Sequence, residues 1–467
     1  MTHTFHPSIL REYDIRGITE ETLFPADARA VGETFGTVVK RSGGTRVRVG
    51  YDGRLSSPAM EAALVEGLKS TGLTVERVGR GPTPMLYFAT FDGKADGGIM
   101  VTGSHNPPTH NGFKMMLGKK PFFGDDIKKL GKMAAAGDVE KAQGEKSGKV
   151  IETPAFDAYL ERLLKDFAGA RELTVVWDPG NGAGAEVVTH LVKRLPGKHI
   201  VLNGTIDGTF PAHHPDPTVP KNLEQLIDAV KREKAAVGFA FDGDADRIGV
   251  VDGKGRILWG DQIMQILAED VLKSHPGAPI IADVKASQAL FDEVARMGGK
   301  PIIWKTGHSL IKNKMAETNA PLAGEMSGHI FFADKYYGFD DAIYSAVRFL
   351  SIMARDESYD LAKRYDKMPV LVNTPELRFP CADERKFAVI DEVKARLAKS
   401  GAKVSDIDGV RVTGKGGWWL LRASNTQAVL VARAEADTEE HLEGLKHELA
   451  AQLKASGLDL PTESVGH

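Results

Sequence analysis

The chain has 467 residues, 42% of them hydrophobic, with 60 Lys plus Arg against 63 Asp plus Glu for a net charge of -3. A single core seldom grows past about 250–300 residues, so this length predicts two to four domains, and so even a charge balance argues against wrapping nucleic acid or binding a membrane surface. The lone cysteine, Cys381, excludes an intrachain disulfide, and neither a signal-peptide core nor an apolar run of about 18 residues is present, so a cytoplasmic protein is expected.

The first block, 1–150, reads as α/β units. It has a strand at 45–51, a helix at 59–70 with Met60, Ala63, Leu64 and Leu68 at helical spacing, strands at 73–78 and 97–102, and a polar surface connection at 134–150. The second block, 151–254, predicts a helix at 154–166, a strand at 173–177 and a helix from about 183. An irregular stretch at 213–220 follows, then a helix at 223–234 and strands at 236–241 and 248–251. In the third, 255–369, helices at 262–273 and 287–297 alternate with strands at 279–284 and 301–304, before an apolar helix at 344–353. The fourth, 370–467, breaks the alternation: strands at 370–373, 409–413, 418–422 and 428–434 with a helix at 386–399 make an α+β pattern. Three blocks share one arrangement, a strand followed by a dense polar loop. Ligand loops in open α/β sheets sit beyond the C-terminal ends of strands, so four domains lending loops to one cleft is the expected architecture.

Four loops carry the chemistry. In Thr102-Gly103-Ser104-His105-Asn106, Gly103 allows a sharp turn and Ser104 stands at a strand end, although a helix-capping serine is the plainer reading of that stretch alone. Asp242, Asp244 and Asp246 alternate directly after an apolar strand. Three carboxylates so close repel one another unless a cation neutralises them, and an all-oxygen set suits Mg²⁺ or Ca²⁺; Arg247 adds a donor fork for a phosphate or carboxylate. In Gly324-Glu325-Met326-Ser327-Gly328-His329, an acceptor and a donor stand together, as adjacent sugar hydroxyls require. Arg422-Ala423-Ser424-Asn425-Thr426 offers an arginine, hydroxyls and backbone donors for a phosphate, or simply a polar hairpin turn. Arg16, Lys114, Lys285 and His308 are further candidates for the cleft, while Trp418 and Trp419 belong to a strand and predict packing.

At these loops the chain resembles the α-D-phosphohexomutase superfamily, and in particular its bacterial phosphomannomutase/phosphoglucomutase branch, over essentially its whole length and with the motifs in family order. The resemblance implies a four-domain phosphohexomutase-like fold, three related mixed α/β domains followed by an α+β domain. It implies Ser104 as the phosphoserine, and Asp242, Asp244 and Asp246 as Mg²⁺ ligands completed by a phosphoserine oxygen. Glu325, Ser327 and His329 match its sugar loop, and Arg422, Ser424, Asn425 and Thr426 its phosphate loop. Tyr13 and Lys285 join the substrate-binding set, and Arg16, His105, Lys114, Arg247 and His308 the catalytic one. His308 and Lys114 are the preferred proton carriers, with Arg16 aiding electrostatically; Asp340 and Asp341 fall in a family-like segment without an assigned step. The implied reaction is a reversible exchange of hexose 6-phosphate and hexose 1-phosphate, of mannose and glucose, through phospho-Ser104 and a hexose 1,6-bisphosphate. Glucose 1,6-bisphosphate (or mannose 1,6-bisphosphate) would be activator and intermediate. A phosphoglucosamine mutase is the runner-up, and monomer and weak oligomer both stay open. Two departures stand out: Gln427-Ala428 replaces the Glu-Pro or Thr-Pro that often follows the phosphate turn, and the connection at 193–199 is fuller, which reads as peripheral.

Overall fold

A computed structural model describes residues 2–142, 147–425 and 427–459; Thr426 therefore lies outside the described residues. Four sheets follow one another along the chain. The first three are built on one plan. In each, the first strand is central, the second lies on one side and the third on the other, all parallel, and a fourth strand turns back antiparallel beside the third. These quartets are Arg46–Tyr51, Thr74–Arg80, Gly97–Val101 and His110–Leu117; Leu173–Asp178, Gly197–Val201, Val237–Phe241 and Ile248–Asp252; and Pro279–Asp283, Lys300–Trp304, Leu322–Gly324 and Ile330–Phe332. The serine, acidic and sugar loops each join the third strand to the fourth. The plan that the sequence hid thus places three loops equivalently, each at the C-terminal end of a parallel strand, where ligands bind in such sheets.

The third strand of each quartet, Gly97–Val101, Val237–Phe241 and Leu322–Gly324, is buried along its whole length, which is why the longer two read as unbroken apolar runs. Apolar side chains of the first three units, among them Leu86, Tyr159, Trp177, Phe239, Ile280 and Phe349, belong to one continuous core. The fourth unit has its own. Its antiparallel strands Val410–Gly414, Gly417–Ala423 and Val429–Ala436 pack Trp419 and Leu421 against the helices Asp383–Ser400 and Glu439–Lys454. Among the described residues, a small separate apolar cluster, Trp418 and Leu420 against Val284, lies between the fourth unit and the third. The two tryptophans therefore pack as expected, one inward and one across the interface.

Several expectations are corrected. Ser104 caps no helix; it lies in a buried turn. The stretch at 193–199 runs into an edge strand, Gly197–Val201, paired in parallel with Leu173–Asp178. The second sheet continues past residue 254 through Ile257–Leu258. Whole helices went unread: Pro25–Arg41, Thr83–Asp92, Asp125–Ala136, His308–Thr318 and Glu439–Lys454. Thr83–Asp92 is buried over most of its surface and so shows no polar stripe, which is the signal that periodicity needs.

Candidate functional site

The serine loop leaves strand Gly97–Val101 and places Ser104 at a φ of +49°, in the left-handed region that costs a non-glycine residue roughly 1–2 kcal/mol. The strain falls on the serine itself and not on Gly103. What holds it is a buried guanidinium. Arg54 donates to the carbonyls of Ser104 (2.7 Å), Asn106 (2.6 Å), Pro107 (2.5 Å) and His110 (3.0 Å), and pairs with Asp52 at 3.1 Å. Asp52 in turn accepts from the Gly103 amide at 3.1 Å, and the Thr102 hydroxyl accepts from the Ser104 amide at 2.9 Å. Arg16 spans the same loop from strand Ile15–Ile18, donating to the Gly103 carbonyl and to the Asn106 side chain. Ser104 Oγ lies 3.2 Å from His105 Nδ1 and donates to Asp242 at 3.0 Å. Burial, then Arg247 and Arg16, press the His105 imidazole well below its usual pKa.

That last contact joins the first two loops. Gly243 makes it possible: a Cβ there would lie 2.3 Å from the Ser104 carbonyl oxygen. Asp242, Asp244 and Asp246 are fully buried, and their donor atoms lie within 4.8 Å of one another. Lys114, on strand His110–Leu117, reaches Asp244 at 2.7 Å and also pairs with Asp246, and Thr83 donates to Asp244 at 2.5 Å. Even so, Asp244 Oδ1 and Asp246 Oδ1 are buried without a hydrogen bond. Burial, and then its two carboxylate neighbours, push Asp242 well above the carboxylate range. For Asp246, burial pushes upward but Lys114 and His329 outweigh it and hold the group well below that range. An all-oxygen set with uncompensated buried oxygens fits a hard divalent cation. The three aspartates, with Ser104 Oγ beside them, are the residues that would hold it. Burial opposes the charge on Lys114, but the two aspartates prevail and keep it an ammonium.

The sugar loop closes against the acidic one. Gly328, at a φ of +91°, passes so close that a Cβ would meet the Ile248 carbonyl at 2.5 Å, and an isolated bridge pairs Arg247 with His329. His329 Nε2 faces Asp246 Oδ1 at 3.3 Å, while its Nδ1 lies 3.0 Å from Glu325 and 2.9 Å from the Ser327 hydroxyl. Burial lowers its basicity, but Asp246 and Glu325 raise its pKa to about 9. Stacked on it, with ring centroids 5.6 Å apart, is His308, which burial, Lys312 and His329 push well below the usual imidazole value. Two adjacent imidazoles are thus driven in opposite directions. Glu325 also accepts from the Gly307 amide at 2.5 Å, and burial's upward push on it is outweighed by His329. Arg247 Nε approaches His329 Nε2 at 3.4 Å, and its positive charge opposes the protonation that Asp246 and Glu325 favour.

The hairpin between Gly417–Ala423 and Val429–Ala436 brings in the fourth unit. Arg422 Nε pairs with Asp408 at 3.0 Å, and Asp408 also accepts from the Thr306 amide. Asn425 donates to the Tyr13 hydroxyl at 2.8 Å, and Tyr13 donates to the Thr306 carbonyl at 2.9 Å. Ser424 accepts from the Gln427 amide at 3.2 Å. First, third and fourth units therefore meet at one point. Lys285 pairs with Glu376 at 2.8 Å, and the pair borders this cluster: against the pull of burial, Lys285 helps to hold the Glu325 pKa down and Glu376 helps to raise that of Arg422. Glu376 holds Arg378, and Arg378 donates to Gln427 at 2.9 Å, which gives the unusual Gln427 a defined partner.

Sequence reasoning missed most of the residues that do the holding, Asp52 and Arg54, Thr83, Asp283, Glu376 and Asp408, and noted Asp340 without giving it a task. Asp52 and Arg54 had a readable signal, an Asp-Gly-Arg triplet at the end of the strand Arg46–Tyr51. Apart from the pair of Glu376 with Arg378, the contacts that matter for the others are to residues remote in sequence.

Comparison with known proteins agrees along the whole chain. Four models of phosphoglucomutase/phosphomannomutase match in order: alpha/beta/alpha domain I at residues 7–140, domain II at 157–255, domain III at 259–370 and the C-terminal domain at 376–452. A phosphomannomutase/phosphoglucomutase of Pseudomonas aeruginosa is 42% identical over 98% of this chain and 98% of its own. A phosphoglucomutase of Neisseria meningitidis is 40% identical over 96% of this chain and 97% of its own. The crystal structure of a phosphoglucomutase/phosphomannomutase family protein from Burkholderia thailandensis superposes with a TM-score of 0.92 at 43% identity, covering 98% of this chain and all of that one.

Proposed function

The chain belongs to the phosphoglucomutase/phosphomannomutase family, and from that premise we propose that it interconverts hexose 6-phosphates and hexose 1-phosphates, of mannose and of glucose, with Ser104 as the phosphoryl carrier. The observation that carries this is the Ser104 hydroxyl, held in a strained turn and aimed at Asp242 inside a buried triad of carboxylates. A serine hydroxyl is a poor nucleophile by itself. Charge neutralisation of the transferring group is what Mg²⁺ bound at Asp242, Asp244 and Asp246 supplies.

The remaining work belongs to side chains of this chain. Arg16 and Arg54 fix the loop so that Ser104 Oγ returns to one position in each cycle. Arg422 with Ser424 and Asn425 anchors the phosphate that is not transferred, and Glu325 and Ser327 take sugar hydroxyls. Lys114, kept as an ammonium, serves as fixed positive charge, and we assign proton movement to the neighbouring imidazoles of His308 and His329. The cycle balances without water. In the first transfer the serine phosphate passes to the free hydroxyl of a bound monophosphate, the hydroxyl proton goes to an imidazole, and the released Ser104 Oγ takes up a proton. After the bisphosphate turns over, Ser104 gives up that proton as it accepts the other phosphate, and the freed sugar oxygen is protonated in turn. Glucose 1,6-bisphosphate then acts as primer and intermediate. The names borne by the relatives favour mannose and glucose phosphates over the amino sugar.

Specificity constants for mannose 1-phosphate, glucose 1-phosphate and glucosamine 1-phosphate, with catalytic glucose 1,6-bisphosphate present, test this. The two neutral sugars should react within about an order of magnitude of each other if no side chain reads the orientation of the single hydroxyl by which they differ. A clear preference for the amino sugar would overturn the substrate assignment.

A further inference from the structure

Beside the three-aspartate set lies a second group with different chemistry. Asp246, His329 and Asp340 place one donor atom each within 4.8 Å of one another, and all three residues are at most 5% exposed. Asp340 Oδ2 and Asp246 Oδ1 are both buried and neither makes a hydrogen bond. His308 Nδ1, 3.5 Å from Asp340 Oδ2, is also without one. Their nearest partners are the two imidazoles, His329 Nε2 at 3.3 Å from Asp246 Oδ1 and His308 Nδ1 at 3.5 Å from Asp340 Oδ2, so the cost of burying them is offset only in part.

The far side of each ligand is anchored. Asp340 Oδ1 accepts from Lys312 at 2.9 Å and Asp246 Oδ2 pairs with Lys114, while His329 Nδ1 lies 3.0 Å from Glu325. A histidine whose second nitrogen is tied to a carboxylate is the usual preparation of a metal-binding imidazole, because it fixes the tautomer and turns the other nitrogen outward. Bonds of about 2.0–2.1 Å to a tetrahedral ion set ligand atoms about 3.3–3.4 Å apart, and His329 Nε2 stands 3.3 Å from Asp246 Oδ1. Arg247, whose Nε approaches His329 Nε2 at 3.4 Å, would have to swing aside.

We propose that Asp246, His329 and Asp340 form a second, inhibitory site for a borderline transition-metal ion such as Zn²⁺, sharing Asp246 with the magnesium set. One nitrogen and two carboxylates select such an ion over Mg²⁺, which prefers oxygen alone and octahedral geometry. An ion there occupies His329 Nε2 and so removes that nitrogen from the cleft. The binding claim does not depend on the phosphoryl-transfer reading, because its test needs no turnover.

The test uses the whole protein saturated with Mg²⁺ and titrated with Co²⁺ as a spectroscopic probe and with Zn²⁺. One Co²⁺ per chain should bind with the strong visible absorption of a four-coordinate site, and Asp340→Asn should weaken it at least tenfold. Should that variant fail to fold, X-ray absorption on the Zn²⁺-loaded wild type decides, with four ligands including an imidazole expected. Binding abolished by excess Mg²⁺, equal affinity in a folded Asp340→Asn, or a shell of six oxygens would overturn the site. Mutase activity should fall along the Zn²⁺ occupancy curve; full activity at full occupancy would overturn its inhibitory role.

Discussion

Ser104 illustrates how a reactive group is made from an ordinary one. Its backbone conformation is unfavourable and its hydroxyl weakly nucleophilic, yet four loop carbonyls and Asp52 converge on one fully buried guanidinium to hold it there. Lysine keeps the charge of Arg54 but lacks the planar fork that reaches several acceptors at once. Arg54→Lys is therefore expected to slow phosphorylation of Ser104 by glucose 1,6-bisphosphate by more than tenfold, read as the rate of mass gain of the intact chain. Arg54→Ala, which strands Asp52 in the interior, should cost about 3–5 kcal/mol in denaturant unfolding. An Arg54→Lys enzyme phosphorylated at the wild-type rate would show that the loop holds itself. Aligning Ser104 with the metal loop from sequence needed the resemblance, because nothing local distinguishes a serine at φ +49° from a turn serine. The Asp-Gly-Arg triplet could have been read, but its partners lie some fifty residues away.

At the level of elements, the sheet ends carry the site, and the strand Pro279–Asp283 shows how. Asp283 accepts from the Met326 amide and the Thr306 hydroxyl, both at 3.1 Å, and so ties the sugar loop to the His308 loop. Burial raises its pKa to about 6 against Lys285's opposing pull. Since the folded-state value lies above the unfolded one near 3.8, folding favours the protonated form. The stabilisation is complete below about pH 3.8 and is lost as the pH rises through 6. Relative to Asp283→Asn, the wild type should lose on the order of 2–3 kcal/mol between pH 4 and pH 6.5, measured by urea unfolding across that range; a difference flat with pH would remove burial as the cause. Strands buried on both faces, such as Val237–Phe241, were legible as apolar runs. The helix Thr83–Asp92 was not, because burial all round erases the amphipathic stripe, and the strands Leu322–Gly324 and Ile330–Phe332 are too short to show a period. The common plan of the first three sheets is likewise a fact of topology, invisible in sequences that have diverged this far.

Across the whole molecule, three units share a core and the fourth is attached to them mainly by polar contacts, at two places above all. One is the interface with the third unit, where Arg411, stacked 3.7 Å from the Trp418 ring, donates to the carbonyls of Val284 and Ala286. The other is the clasp from Asn425 through Tyr13 to Thr306. A separate core with a small apolar contact permits the fourth unit to swing, and the clasp is polar and thin enough to open and close with each ligand. Tyr13→Phe removes both of its hydrogen bonds, each worth about 1 kcal/mol. It should raise KM about tenfold with a smaller change in kcat, and increase the radius of gyration in small-angle scattering; unchanged values for both would place the hinge elsewhere. The purpose of such closure is to let a bisphosphate turn over without escaping while one serine gives and then reclaims a phosphoryl group. That carrier role is tested most directly by mixing the enzyme with glucose 1,6-bisphosphate labelled in its phosphates, mapping the label, and assaying Ser104→Ala alongside. The account predicts label on Ser104 alone and a fall in turnover of about three orders of magnitude or more in the variant, whereas undiminished turnover by Ser104→Ala would contradict it.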